Sequence, residues 1–315
     1  MPLILTLTPN PAVDVSTSVK RVEPDHKLRC AAESRDPGGG GVNVARVVRR
    51  LGAEAVAVYP SGGAAGQMLE PLVAREGVGS LVVPVSGETR ENFTVQDMTT
   101  GEEYRFVLRG PRLRDSEWMD CLKALAGFER KPDFICASGS LPPGAPEDFY
   151  ARVAEIAEMK GVPFVLDTSG PALKAALGER IFLIKPNLRE LRELAPGALD
   201  EEASLIAACR QLIAGGRLKM VALSLGSQGA LLVTADEAWR APALPIRPAS
   251  TVGAGDSFLG AMVWALAAGK PVEAALAYGA AGGAAALLTH GTELCRAGDV
   301  HRLVQDVAVE KIATP

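Results

Sequence analysis

The chain has 315 residues, 48% apolar and 22% charged, which is enough for one large α/β domain and too apolar for a disordered one. A formal charge of -4 offers no long-range attraction to nucleic acid or to an anionic membrane, so a phosphate group must be gripped by a local basic patch. Residues 1–6 lack a basic leader, and no apolar run reaches the roughly 18 residues of a membrane span, so a cytoplasmic protein is expected. Cys30, Cys121, Cys136, Cys209 and Cys295 form no C-x-x-C pair and His26, His290 and His301 show no ligand spacing, which predicts neither a disulfide framework nor a structural metal.

Residues 2–8 make a short apolar run suited to a strand, and Val42, Ala45, Val48 and Leu51 then recur near helical spacing. Further apolar runs at 55–59, 133–137, 162–166, 181–184, 220–225 and 229–233 alternate with helical patterns at 66–76, 116–127, 147–160, 202–214, 256–268 and 272–288. Such alternation predicts an α/β fold with a mostly parallel sheet covered on both faces. Two segments, 12–36 and 88–109, break the rhythm. Within the second, 92–98 and 103–108 flank Thr99-Thr100-Gly101-Glu102, a hairpin signature. The expected organisation is one domain over 1–315, with these two segments forming a small β lid at the C-terminal edge of the sheet.

Four strings carry chemistry. Ser250-Thr251-Val252-Gly253-Ala254-Gly255-Asp256-Ser257-Phe258 runs into an apolar helical pattern, so small residues leave the first N–H groups of a helix open to an anion. A carboxylate there, Asp256, suits phosphoryl transfer as the base that takes the attacking hydroxyl's proton, although an Asp at a helix start is as often a cap. Pro37-Gly38-Gly39-Gly40-Gly41-Val42-Asn43 allows close backbone approach to a ligand, and Asn43 offers a donor and an acceptor to sugar hydroxyls; a flexible hinge would look the same. In Lys185-Pro186-Asn187-Leu188-Arg189-Glu190, Asn187 and Glu190 share one helix face, where they could orient water around magnesium or merely form a capping box. Ser224-Leu225-Gly226-Ser227-Gln228-Gly229-Ala230 reads as a hairpin or as a nucleotide-lining loop. No Walker A loop, protein-kinase motif or dinucleotide fingerprint is present.

In this order the strings resemble the ribokinase/PfkB carbohydrate kinase family over essentially the whole chain, and within it the phosphosugar branch, nearest the PfkB-type 6-phosphofructokinases. The resemblance implies a ribokinase-like three-layer sandwich with a β lid. It makes Asp256 the catalytic base and Gly253, Ala254 and Gly255 the anion hole. Asp14, Gly38, Gly39 and Asn43 would hold sugar hydroxyls, joined by Ser138 and Gly139 after a strand. Lys185, Asn187, Glu190, Ser224, Gly226, Gly229, Thr251, Gly253, Gly255 and Gly283 would line ATP, with Asn187 and Glu190 handling Mg²⁺. It also implies a monovalent cation such as K⁺ near 250–252 and 286–291, where Thr289, His290 and Glu293 match no ligand pattern. The acceptor it implies is fructose 6-phosphate, since the 1-phosphofructokinase and tagatose-6-phosphate kinase branches usually carry lysine where this chain has Gly40. A sugar-phosphate sensor without catalysis is the non-enzyme reading.

A phosphorylated acceptor is also expected on charge. Were 26–30 a strand, Lys27 and Arg29 would project from one face and meet Arg90 from the other lid segment, three cations that a neutral sugar does not need. Solvated charges on an edge strand are the plainer account. Phe93, Val95, Phe106 and Leu108 would give the lid an apolar face that a second subunit could cover, so a homodimer is expected.

Overall fold

A computed structural model describes residues 1–195, 197 and 199–313. The first half of the chain forms β1 (Leu3–Leu7), β2 (Ala12–Val19), β3 (Ser34–Gly38), α1 (Gly40–Arg50), β4 (Glu54–Ser61), α2 (Gly63–Arg75), β5 (Gly79–Pro84), β6 (Arg90–Asp97), β7 (Glu103–Phe106), α3 (Asp115–Ala126), β8 (Phe134–Ser138) and α4 (Phe149–Met159). The second half forms β9 (Phe164–Asp167), α5 (Gly170–Ala176), β10 (Ile181–Ile184), α6 (Leu188–Leu194), α7 (Glu202–Ile213), β11 (Leu218–Ser224), β12 (Ala230–Thr234), β13 (Ala238–Ala241), α8 (Ala254–Ala267), α9 (Val272–Ala286), α10 (Ala297–Leu303) and β14 (Glu310–Lys311). No helix among the described residues is long and apolar enough to cross a membrane.

Ten strands form the main sheet in the order β14-β13-β12-β11-β10-β9-β8-β1-β4-β5. Pairing is parallel from β5 to β11 and antiparallel beyond it. Every residue of β1 is buried, as expected of a parallel strand covered on both faces. Its side chains alternate between two cores: Leu5 and Leu7 pack with Trp118, Phe149 and Val153, while Ile4 packs with Val44, Val48, Leu259 and Met262. The parallel arrangement brings the ends of β1, β8, β9 and β10 to one edge of the sheet, where open α/β folds bind their ligands.

The second sheet, β3-β2-β6-β7, joins the two segments that break the α/β rhythm: β2 runs parallel to β6, and β6 turns back into β7. The lid sheet is fastened to the body by several side chains, among them buried Arg46 of α1, which reaches Asp36 and Pro37 of β3. Ser250 Oγ donates to Glu103 Oε2 at 2.8 Å and Thr292 Oγ1 donates to Asp36 Oδ2 at 2.8 Å.

One expectation fails here. Residues 20–33 between β2 and β3 carry no strand, and Asp25 takes a left-handed φ of 60° in a turn after Pro24. Without a strand, the alternation that would set Lys27 and Arg29 side by side does not operate, and both are exposed. The strands β5 and β13 and the helices α5 and α10 had no clear sequence signal, being short or, in β5, beginning at glycine.

Three helices meet through glycine. A Cβ on Gly260 of α8 would lie 2.7 Å from Val47 Cβ and 3.2 Å from the Val44 carbonyl of α1; one on Gly282 of α9 would lie 2.6 Å from the Ser257 carbonyl. Neither a β-branched Cβ nor backbone can swing aside, so this close packing fixes where α8 begins. Gly260→Leu should therefore lower unfolding stability by about 1–3 kcal/mol or more through overpacking, read as a fall in the urea midpoint at unchanged m-value.

Candidate active site

A cleft of about 290 Å³ opens between the lid and the C-terminal edge of the main sheet. Asp256 faces it from the first turn of α8. The helix starts at Gly253, whose left-handed φ of 71° suits glycine, and no side chain caps it, so its first N–H groups await a partner. Asp256 is not the cap: its Oδ2 accepts a 2.8 Å hydrogen bond from Asn43 Nδ2 on α1. Burial and the neighbouring Asp167 carboxylate push its pKa up to about 6, against the opposing pull of Asn43 and Lys185; Asp14 adds to the rise.

Lys185, just past β10, lies almost wholly buried with Nζ 3.3 Å from Asp167 Oδ1. Burial alone would lower its pKa, but Asp167 and Asp256 hold it above the usual lysine value, so it stays charged. A Cβ on Gly255 would come within 3.5 Å of that ammonium, which places the charge beside the first turn of α8. A bound anion would thus meet a helix N-terminus and a cation together.

On the lid side, burial raises the pKa of Asp14, and Asn92, Arg105 and Arg90 oppose the rise. Asn92 Nδ2 donates to Asp14 Oδ1 at 2.8 Å. A Cβ at Gly38 would lie 2.2 Å from Asp14 Oδ2, so this glycine makes room for the carboxylate. A side chain at Gly40 would begin 2.1 Å from Ser138 Oγ and 3.0 Å from its carbonyl carbon, which leaves no space for the lysine of the related branches. Arg90 lines the cleft, yet its guanidinium donates to the carbonyls of Asn10 at 2.8 Å, Leu108 at 2.8 Å and Pro11 at 3.4 Å.

Of the residues singled out from the sequence, Asp14, Gly39, Asn43, Arg90, Ser138, Gly139, Glu190, Gly253 and Asp256 line one cleft. Lys27 and Arg29 are not among its lining residues. Asn187 caps α6: its side chain accepts from Glu190 N at 2.9 Å while Glu190 Oε2 accepts from Asn187 N at 2.9 Å, a complete capping box, with Glu190 still facing the cleft. Ser224 is tied to this start by a bridge to Asn187 and a 3.0 Å bond from its N–H to the Pro186 carbonyl. Gly226 and Gly229 make the left-handed corners of the turn that follows, at φ 60° and 94°. Thr251 is exposed before α8, and Gly283 packs behind it against the Ala254 carbonyl. Among the described residues no group of three His, Cys, Asp or Glu could cage a metal ion.

Sequence reasoning missed Asp167, Asn92 and Arg105, all of which line the cleft. Asp167 had a readable signal, a carboxylate closing a buried apolar run at a strand's C-terminal end. Arg105 had only its place in the hairpin.

Residues 9–297 match the pfkB family carbohydrate kinase pattern. The chain belongs to this family of kinases. It is 45% identical over 304 residues to the ATP-dependent 6-phosphofructokinase isozyme 2 of Mycobacterium tuberculosis, covering 96% of this chain and 89% of that one. It is 38% identical over 301 residues to the Escherichia coli protein of the same description, covering 95% and 97%. The crystal structure of E. coli phosphofructokinase-2 in complex with potassium superposes with a TM-score of 0.92 at 38% identity, covering 97% of this chain and 99% of that one. The two-sheet architecture is thus the ribokinase-like α/β fold of the pfkB kinases.

Asp256→Asn in this kinase should lower kcat by about 10²–10⁴, the range for a lost general base, with a melting temperature at least that of the parent because a buried charge is removed. For the parent, a base with a pKa near 6 is active only when deprotonated, so kcat/KM should fall as pH drops through about 6 and level off above it. A pH–rate profile with no acid limb between pH 5 and 7 would remove Asp256 from that role.

Proposed function

We propose that this chain transfers the γ-phosphoryl group of ATP to the 1-hydroxyl of fructose 6-phosphate, giving fructose 1,6-bisphosphate. The observation that carries this reading is the arrangement around Asp256: a carboxylate with a raised pKa, beside an uncapped helix N-terminus and a buried lysine, under a lid edged with arginine. Asp256 takes the proton of the attacking hydroxyl while the first turn of α8 and Lys185 meet the charge spread over the transferred phosphoryl oxygens. Asp14, Asn43 and the backbone at Gly39 orient the sugar, and the lid excludes competing water.

Glu190 and Asn187 beside the cleft would orient water around a Mg²⁺ ion carried by the nucleotide, which would neutralise phosphate charge. The nucleotide would run from Gly253, Ala254 and Gly255 along Lys185 and the 224–229 turn. We place a monovalent cation at the carbonyls of 250–252 and 286–291, loops joined by the 2.7 Å bond from Ala249 N to the Leu287 carbonyl. These carbonyls suit a weakly hydrated cation close to the start of α8.

A lid arginine, Arg105, selects for the phosphate of the sugar. Exposed Arg105 reaches the cleft, while Arg90 spends its donors on backbone and stiffens the rim. Arg105→Ala should raise KM for fructose 6-phosphate about tenfold or more, the scale for hydrogen bonds to a charged group, with KM for ATP unchanged. ADP release measured across hexose phosphates tests the acceptor directly. A higher kcat/KM for fructose 1-phosphate or tagatose 6-phosphate would move the enzyme to the neighbouring branch, and turnover of none would favour a sensor.

The outer lid exposes Phe93, Phe106 and Leu108, the first at 40% and the others at about half of their surface or more. A four-stranded sheet of this size gains stability by covering such a face, and we read it as the contact between two copies of this chain. Phe106→Asp should convert the dimer to a monomer in light scattering; a monomeric parent at working concentration would refute the dimer.

A further inference from the structure

Beneath the cleft sits a charged cluster that the reaction as described does not use. Arg46 on α1 has 0% of its surface exposed. Its Nη2 lies 3.0 Å from Glu76 Oε1 and 3.5 Å from Asp36 Oδ1. Its Nη1 donates to the carbonyls of Pro37 at 3.0 Å and Thr292 at 3.2 Å, and to Asn43 Oδ1 at 3.2 Å. Asn43, one turn earlier on the same helix face, in turn donates Nδ2 to Asp256 Oδ2 at 2.8 Å.

We propose that Arg46 is a positioning residue for the reaction: by occupying Oδ1 of Asn43 it fixes the carboxamide so that the NH₂ group, not the carbonyl oxygen, meets Asp256. The flipped amide would set NH₂ against guanidinium N–H and carbonyl oxygen against carboxylate, so both ends reject it. Remove Arg46 and only the Asp256 end discriminates. Protonation then cancels that discrimination as well, because a carboxylic acid can donate to the flipped carbonyl. Loss of Arg46 therefore favours protonated Asp256, which cannot accept the hydroxyl proton.

The other charged groups facing Asp256 stay in place: Asp167 at the end of β9, Lys185 after β10 and Asp14 on β2. So do the groups that line the same cleft, Arg90, Arg105 and Glu190. A merely structural Arg46, neutralising Glu76, would affect stability without reaching Asp256. Glu76 has a second partner in Arg50, whose Nη2 lies 3.0 Å from each of its oxygens, so that function can be separated.

The kinetic part of the test rests on the kinase reading above, and a readout without turnover keeps the two apart. The carboxyl carbon shift of Asp256, assigned by its absence in Asp256→Asn, is followed by NMR against pH in the parent, Arg46→Met, Arg46→Met with Glu76→Gln, and Glu76→Gln alone. The double variant removes the uncompensated Glu76 charge should the single one fold poorly. Both Arg46 variants should raise the Asp256 midpoint by about half a unit or more and move the acid limb of kcat/KM upward by the same amount, with KM for ATP unchanged. Glu76→Gln should lower the melting temperature and leave the midpoint where it is. A midpoint in the Arg46 variants that coincides with the parent's, or that Glu76→Gln shifts equally, overturns the proposal. Shifted midpoints in a protein with no sugar-phosphate kinase activity would leave the Arg46 inference standing and sink the functional reading instead.

Discussion

A carboxylate able to take a proton near neutral pH has to be held away from water without being given a full counter-charge. That constraint organises this site. Lys185 bonds to Asp167 rather than to Asp256, whose direct side-chain partner is the neutral amide of Asn43. Were Lys185 paired with Asp256 instead, the opposite charge would pull the pKa below the ordinary carboxylate value and leave a poor base. Asp167 thus serves twice, drawing the ammonium aside and adding a like charge that raises the proton affinity of Asp256.

The arrangement depends on chain segments far apart in sequence arriving with little tolerance. Asp167 and Lys185 come from the ends of adjacent parallel strands, Asn43 from the helix after the glycine run, and Asp256 from a helix whose start is set by glycine contacts with its neighbours. Short parallel strands covered on both faces are stiff supports, so charges placed at their ends keep their separations. The lid is different. It is a separate sheet tied to the body near the site by Arg46, which reaches Asp36 and Pro37, and by the hydroxyl–carboxylate bonds of Ser250 to Glu103 and Thr292 to Asp36. A rigid floor under a roof built as a separate sheet suits a reaction that must admit a phosphosugar and then exclude water.

Most of the fold was legible because the parallel strands are continuous apolar runs and the helices between them keep a clear period, as in residues 134–138 and 202–213. The lid was legible as a break in that rhythm. The short edge elements were not, since four residues such as 238–241 carry too little pattern to register. The site divides the same way. Asn43 and Asp256 sit in glycine-rich or helix-start strings whose backbone demands show in the sequence, while Asp14 on β2 came only with the family resemblance. Asp167 and Arg105 act through proximity that only the sheet topology creates. Lys27 and Arg29 illustrate the converse: two cations at alternate positions signify a shared face only within a strand, and residues 20–33 form none. Asn187 and Glu190 form the capping box that starts α6, and the same motif turns the Glu190 carboxylate toward the cleft.

The glycine run has its own physical logic. Each glycine there is kept bare by a different neighbour: Gly38 by the Asp14 carboxylate, Gly39 by Thr8 and its φ of 105°, Gly40 by Ser138, and Gly41 by the Leu7 carbonyl. A side chain at any of the four would displace a group that lines or supports the sugar side of the cleft. At Gly40 the obstruction includes the backbone of Ser138, so introducing a lysine there requires β8 and α1 to separate as well as a rotamer change. What residue 40 can be is therefore built into how closely a strand end and a helix start approach each other. It follows that a larger residue at position 40 needs coordinated changes at both elements rather than a single exchange.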